Sequence, residues 1–221
     1  EKANDKVVQG DLTGLTNGQP AQITHPDGGK WIIALGEQIF GFDSFGWRIS
    51  AVVVGALTVL VLARLVRRLT GSTVIGCFAG LLLCFDGLHF VMSRMALLDG
   101  FLTFWIVSAV ACLVADRDWL VRPERSERLD RYRPLRPWQL LAGVCFGMAC
   151  GTKWSGVYVL AVFGLLAVVW EVLARRKHSR DRGLKRRWVR STLAIGLPAF
   201  FSIVGVAFVV VIVLALVNML R

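Results

Sequence analysis

The sequence predicts an all-α fold: a polytopic transmembrane helix bundle of about six spans with one additional interfacial helix. Three observations carry this. Of 221 residues, 55% are hydrophobic and only 19% charged, against roughly 25% charged in a soluble domain. The apolar residues fall in runs near the ~20 residues that a bilayer crossing needs. The net charge is +11 on a chain of mean hydropathy +0.59. A chain both more apolar and more basic than average reads as a membrane protein with basic loops, not as a nucleic-acid binder or a disordered chain.

Residues 1–47 read as a loop on the outer side. Glu1 is not an initiator residue and residues 1–24 are polar, so the chain is expected to be a piece of a longer one whose first span lies upstream. Within this loop Trp31–Phe40 is too short and too polar to span, and predicts an amphipathic helix lying in the interface. The bundle then occupies residues 48–221, with spans at Ile49–Val66, Val74–Met92, Met95–Ala115, Trp138–Gly151, Trp154–Val172 and Leu193–Leu220.

The fourth and fifth spans form one apolar stretch, interrupted at Gly151-Thr152-Lys153-Trp154-Ser155-Gly156. As a single helix it would be about 50 Å long, too long for a ~30 Å hydrocarbon core. The loop charges favour two helices. Arg64, Arg67 and Arg68, seven Arg from Arg117 to Arg136, and nine basic residues from Arg175 to Arg190 then share one side. That side is the cytoplasm by the positive-inside rule. Trp47, Trp138, Trp154, Trp170 and Trp188 fall near span ends, where indoles favour the interface. The five cysteines all lie in spans without metal-ligand spacing and read as packing residues. Gly143, Gly147 and Gly151, like Gly76 and Gly80, recur every fourth residue and predict close helix approach.

The informative charges are those that topology leaves unexplained, since ionisable groups within a membrane are costly and usually functional. At the outer surface lie His25, Lys30, Arg48, Arg94 and Lys153, with Asp86, His89 and Asp99. Arg94 and Asp99 flank the turn between spans two and three. They read either as an ion pair fixing that turn or as a cation facing an anionic ligand with its orienting acid. Lys153 reads as snorkelling to headgroups or as a phosphate contact. Lys30 is either a solvated charge or a third cationic contact. Cations at the outer surface, against the positive-inside trend, point to an anionic substrate, and a lipid phosphate can reach them from the bilayer.

Four motifs, His25-Pro26…Gly29-Lys30-Trp31, Gly46-Trp47-Arg48, Ser93-Arg94…Ala96-Leu97-Leu98-Asp99 and Gly151-Thr152-Lys153-Trp154-Ser155-Gly156, resemble in order and spacing the protein O-mannosyltransferases, most closely their actinobacterial members. The resemblance implies a GT-C-type glycosyltransferase. It would transfer mannose from a polyprenyl-phosphate-mannose lipid donor to serine or threonine of secreted protein acceptors. Transfer would occur on the outer face of the cell membrane, with inversion at the sugar and with no cofactor or catalytic metal. It implies Arg94 and Lys153 on the phosphate, His25 and Lys30 nearby, and Asp99 orienting Arg94.

The catalytic carboxylate implied is an Asp-Glu pair early in the outer loop. Glu1 can be the end of that pair, with Asp5 and Asp11 as alternatives. Asp27-Gly28 stands where the family has a second proline and an apolar residue. Family members are longer, so a fragment or an inactive truncated member is one alternative. The others are a GT-C transferase with a different sugar or acceptor, and a non-catalytic or transport membrane protein.

Overall fold

The computed structural model describes residues 25–121, 136–181 and 203–217, and among them there are eight helices and no strand. They are α1 (Gly28–Phe40), α2 (Gly46–Thr70), α3 (Thr73–Phe85), α4 (Gly87–Arg94), α5 (Leu98–Val121), α6 (Pro137–Thr152), α7 (Gly156–Asp181) and α8 (Ile203–Val217). Glu1, Asp5, Asp11, Trp188 and the start of the last expected span at Leu193 lie outside the described residues. Three stretches, Gly46–Thr70, Leu98–Asp118 and Gly156–Leu173, are long and apolar enough to cross a membrane, and α3 with α4 makes a fourth if the bent pair is one span. The chain is that of an all-α, multi-pass membrane protein.

The second expected span, Val74–Met92, coincides with that bent pair. The chain breaks at Asp86, and α3 and α4 meet at 64°. Asp86 has an extended backbone, and its carboxylate accepts the His89 N–H at 2.8 Å. An aspartate satisfies a helix start better than it tolerates a helix interior, where its side chain competes for backbone donors. The third expected span shifts. Met95, Ala96 and Leu97 form a turn, α5 starts at Leu98, and it continues past Ala115 through Asp116, Arg117 and Asp118. Ala96 sits at φ 51° and the Leu97 N–H closes on Met92 O at 3.3 Å. This left-handed residue after a helix end is the position usually given to glycine.

The glycine ridges set the packing. A methyl on Gly143 would lie 3.0 Å from Ile203 O and from Val206 Cβ, and one on Gly147 would lie 2.6 Å from Val210 Cβ. So α8 runs along the bare face of α6, in the same direction. On the other side of the bundle a methyl on Gly76 would meet Ala63 O at 2.6 Å, which places α3 tightly along α2. A core of Ala109, Cys112 and Leu113 from α5, Ala142, Cys145 and Phe146 from α6, and Ile203 and Ala207 from α8 fills the centre. A second cluster, Ala51, Ala96 and Phe101, receives Ile32 and Ile33 of α1 and Trp47 of α2. It anchors α1 across the ends of the long helices.

Candidate phosphate-binding end of the bundle

Antiparallel connections bring the starts of α1, α2, α5 and α7 and the ends of α4 and α6 to one end of the bundle. The four motifs come together there, Trp47 against the cluster that holds Ala96 and the glycines of α1 against α5 and α6. A Cβ on Gly28 would lie 2.7 Å from Gly151 O, and one on Gly29 would lie 2.6 Å from Leu98 Cδ2 and 2.9 Å from Thr152 Cγ2. The glycine pair therefore lets the start of α1 sit directly on the end of α6. Gly55 of α2 likewise admits Ser93 of α4, and His89 Nε2 reaches the Gly55 carbonyl at 3.2 Å. Gly28→Ala is expected to push α1 off α6 at a cost of about 1–3 kcal/mol, read as a lower unfolding midpoint in detergent.

The charges at this end fall into two kinds. Both lysines are held by carboxylates. Lys30 Nζ donates to Asp27 Oδ1 at 2.6 Å within the first turn of α1. Lys153 Nζ, in the turn between α6 and α7, donates to Asp99 Oδ1 at 2.7 Å. Both arginines lack a carboxylate among the described residues. Arg94 is exposed at the end of α4, and the Arg48 guanidinium lies 4.5 Å above the Trp47 ring with its Nε shielded and without a hydrogen bond. His25 Nδ1 is also shielded without a hydrogen-bond partner among the described residues. Glu1 lies outside them.

The expected Asp99–Arg94 pairing is thus replaced by Asp99–Lys153. Sequence separation alone favoured Arg94, five residues away. The left-handed turn at Ala96 redirects the chain between the two, and the α6–α7 turn brings Lys153 to Asp99 from 54 residues further on. The Lys153 and Asp99 side chains remain 28% and 40% exposed. Pairs this open are worth about 0–1 kcal/mol, so Lys153 can leave Asp99 at little cost. Beside this group a cleft of about 170 Å³ opens between Pro26 and Trp31, Gly151 and Trp154, and Val211 and Leu214 of α8.

The opposite end holds a feature the sequence reading missed. Arg136, counted there only as a loop charge, is buried together with Asp116 of α5 and Glu171 of α7, at 8%, 5% and 4% exposure. Its Nε and Nη2 bond both oxygens of Asp116, and its Nη1 donates to Glu171 Oε2 at 2.7 Å. Burial alone would lower the Arg136 pKa, but the hydrogen bond to Asp116 and the charges of both carboxylates outweigh it and raise it. Arg68 Nε also reaches Asp118 Oδ2 at 2.8 Å, tying α2 to α5. The available signal was the acid at the end of an apolar run: Asp116 after Ala115 and Glu171 after Trp170. Such acids require a buried cation.

Comparison with known proteins now adds to the geometry. The family model described as dolichyl-phosphate-mannose-protein mannosyltransferase matches residues 19–218. Over 198 residues the chain is 40% identical to the polyprenol-phosphate-mannose–protein mannosyltransferase of Mycobacterium tuberculosis, covering 85% of this chain and 37% of that protein. Over 177 residues it is 42% identical to the protein of the same name from Mycolicibacterium smegmatis, covering 75% and 34%. It is also 36% identical over 151 residues to an undecaprenyl phosphate-alpha-4-amino-4-deoxy-L-arabinose arabinosyl transferase of Pseudomonas aeruginosa, covering 68% and 25%. The chain spans little more than a third of the length of the mycobacterial relatives. No solved structure matches it.

Proposed function

Because the chain belongs to the dolichyl-phosphate-mannose-protein mannosyltransferase family, we propose that it supplies the donor-phosphate end of an enzyme that moves mannose from a polyprenyl-phosphate-mannose lipid to serine or threonine hydroxyls of secreted proteins. The observation that supports this reading is that Lys30 and Lys153, each in a partly exposed pair, and Arg94 at the end of α4 lie at the same end of the bundle, where a cleft opens between Asp27, Trp31 and Trp154. In this reading the end faces outward by the positive-inside rule, since Arg67, Arg68 and Arg117 lie at the other.

In the reaction a carboxylate of the outer loop, Glu1 or its neighbour, takes the proton of the acceptor hydroxyl. The oxygen attacks the anomeric carbon from the face opposite the phosphate, and the bond from that carbon to the phosphate oxygen breaks with its electron pair. The configuration inverts. The donor is a phosphodiester monoanion, and the departing polyprenyl phosphate gains a second charge. Arg94 holds the phosphate from arrival through departure and so meets the added charge as well as the first. Lys153 turns from Asp99 to the second as it develops, which is where fixed cations assist most. Asp99 is then a positioning residue for Lys153.

A second reading, transfer of a different sugar from the same kind of lipid, is favoured by the likeness to the arabinosyl transferase. The test is to supply membranes containing the full-length protein with polyprenyl-phosphate-mannose or with polyprenyl-phosphate-linked aminoarabinose, together with a serine- and threonine-containing peptide. Mannosylated peptide of inverted configuration from the first donor only is the expected result. Transfer from the second donor alone would establish the second reading instead.

A further inference from the structure

The helices α5 and α6 are joined by an acid–base pair at each of their ends. At one end Asp99 meets Lys153, and at the other Asp116 meets Arg136. Asp99 and Asp116 lie 17 residues apart on one continuous helix, and Arg136 and Lys153, the two cap residues of α6, also lie 17 residues apart. At ~1.5 Å per residue the spacing is about 25 Å on each helix, close to the ~30 Å of a hydrocarbon core. The two pairs are rungs of matched length on an antiparallel pair. A slide of α6 along α5 by one turn would break both at once.

The rungs differ in rigidity. The Asp99–Lys153 rung is partly open to solvent and made by one flexible ammonium. The Arg136 rung is buried, bidentate to Asp116, and fastened to a third helix through Glu171. Arg is suited to this because its planar fork fixes direction as well as distance, which an ammonium does not. The proposed transfer reaction makes no use of the buried rung.

We infer that Arg136 is a positioning residue: its fork against Asp116 and Glu171 sets the axial register of α6 on α5, and so places Lys153 at Asp99 and the donor phosphate about 25 Å away. For its activity arm this rests on the transferase reading above. The variant to use is Arg136→Lys, which keeps the buried charge and loses the fork.

Two measurements test it in the full-length protein. The first is a double-mutant cycle on mannose transfer at equal membrane abundance. Arg136→Lys is expected to lower transfer about tenfold in the parent background and hardly at all when Lys153→Ala is already present, the size of coupling carried through one packed element. The same factor in both backgrounds would overturn the inference, because a purely structural role does not depend on Lys153.

The second measurement needs no catalysis. With the native cysteines replaced by serine or alanine, Asp99→Cys and Lys153→Cys are introduced and oxidised in the membrane with copper-phenanthroline. Two thiols give one disulfide, and the two electrons pass to the copper complex. Arg136→Lys is expected to slow this cross-link several-fold, and an unchanged rate would overturn the inference. If the parent protein transfers no mannose, the transferase reading fails while the cross-link arm still decides the register.

Discussion

Replacing Arg94 with alanine is expected to lower mannose transfer by about 10²–10³-fold, the loss seen when one fixed donor to a developing negative charge is removed. The expectation follows from which cations at this end are already engaged. Lys30 and Lys153 each begin in contact with a carboxylate, whereas Arg94 has none among the described residues. The loss should fall more on kcat than on KM, because the phosphate bears more charge on leaving than on arrival. Arg94→Lys should recover part of the rate, restoring the charge but not the two-pronged geometry. Arg94 is exposed, so folding stability should be unchanged, and a thermal unfolding profile in detergent checks this.

Replacing Arg136 with methionine should instead act on stability, at about 3–5 kcal/mol, because it takes the two-pronged cation from buried Asp116 and one charged partner from buried Glu171. The size comes from the buried charges left behind rather than from the worth of the pair. Removing the whole group together, with leucine at 116 and 171 and methionine at 136, should therefore restore much of the stability. Thermal unfolding of the single and triple variants in detergent distinguishes the two. A single variant as stable as the parent would contradict the buried arrangement.

Much of the fold was legible because the bilayer imposes a length and a polarity on every span. The apolar runs located α2, α5 and α7, and the glycine spacing announced the tight α6–α8 and α2–α3 contacts. The interruption at Gly151–Gly156 marked the turn carrying Lys153. Hydropathy could not show the break at Asp86, since one carboxylate barely changes an average over twenty residues, yet it can cap a new helix. The site was legible as a set of residues but not as a set of pairs. Asp99 chose Lys153 across 54 residues over Arg94 across five, which only the path of the chain at Ala96 decides. The buried Arg136 group was hidden for a related reason. Counting basic residues by loop assigns each to a side of the membrane, and says nothing of one that turns inward to meet acids on two other helices.

The decisive comparison sets one exposed arginine at each end of the bundle against the other. Mannose transfer from polyprenyl-phosphate-mannose to a serine-containing peptide is measured for Arg94→Ala and for Arg68→Ala in the full-length protein, at equal membrane abundance. Arg68 is part of an exposed pair with Asp118 at the far end. Transfer should fall at least about a hundredfold for Arg94→Ala and stay within twofold of the parent for Arg68→Ala, as an exposed pair is worth only about 0–1 kcal/mol. Parental rates for Arg94→Ala would place the donor phosphate elsewhere and contradict the assignment of this end.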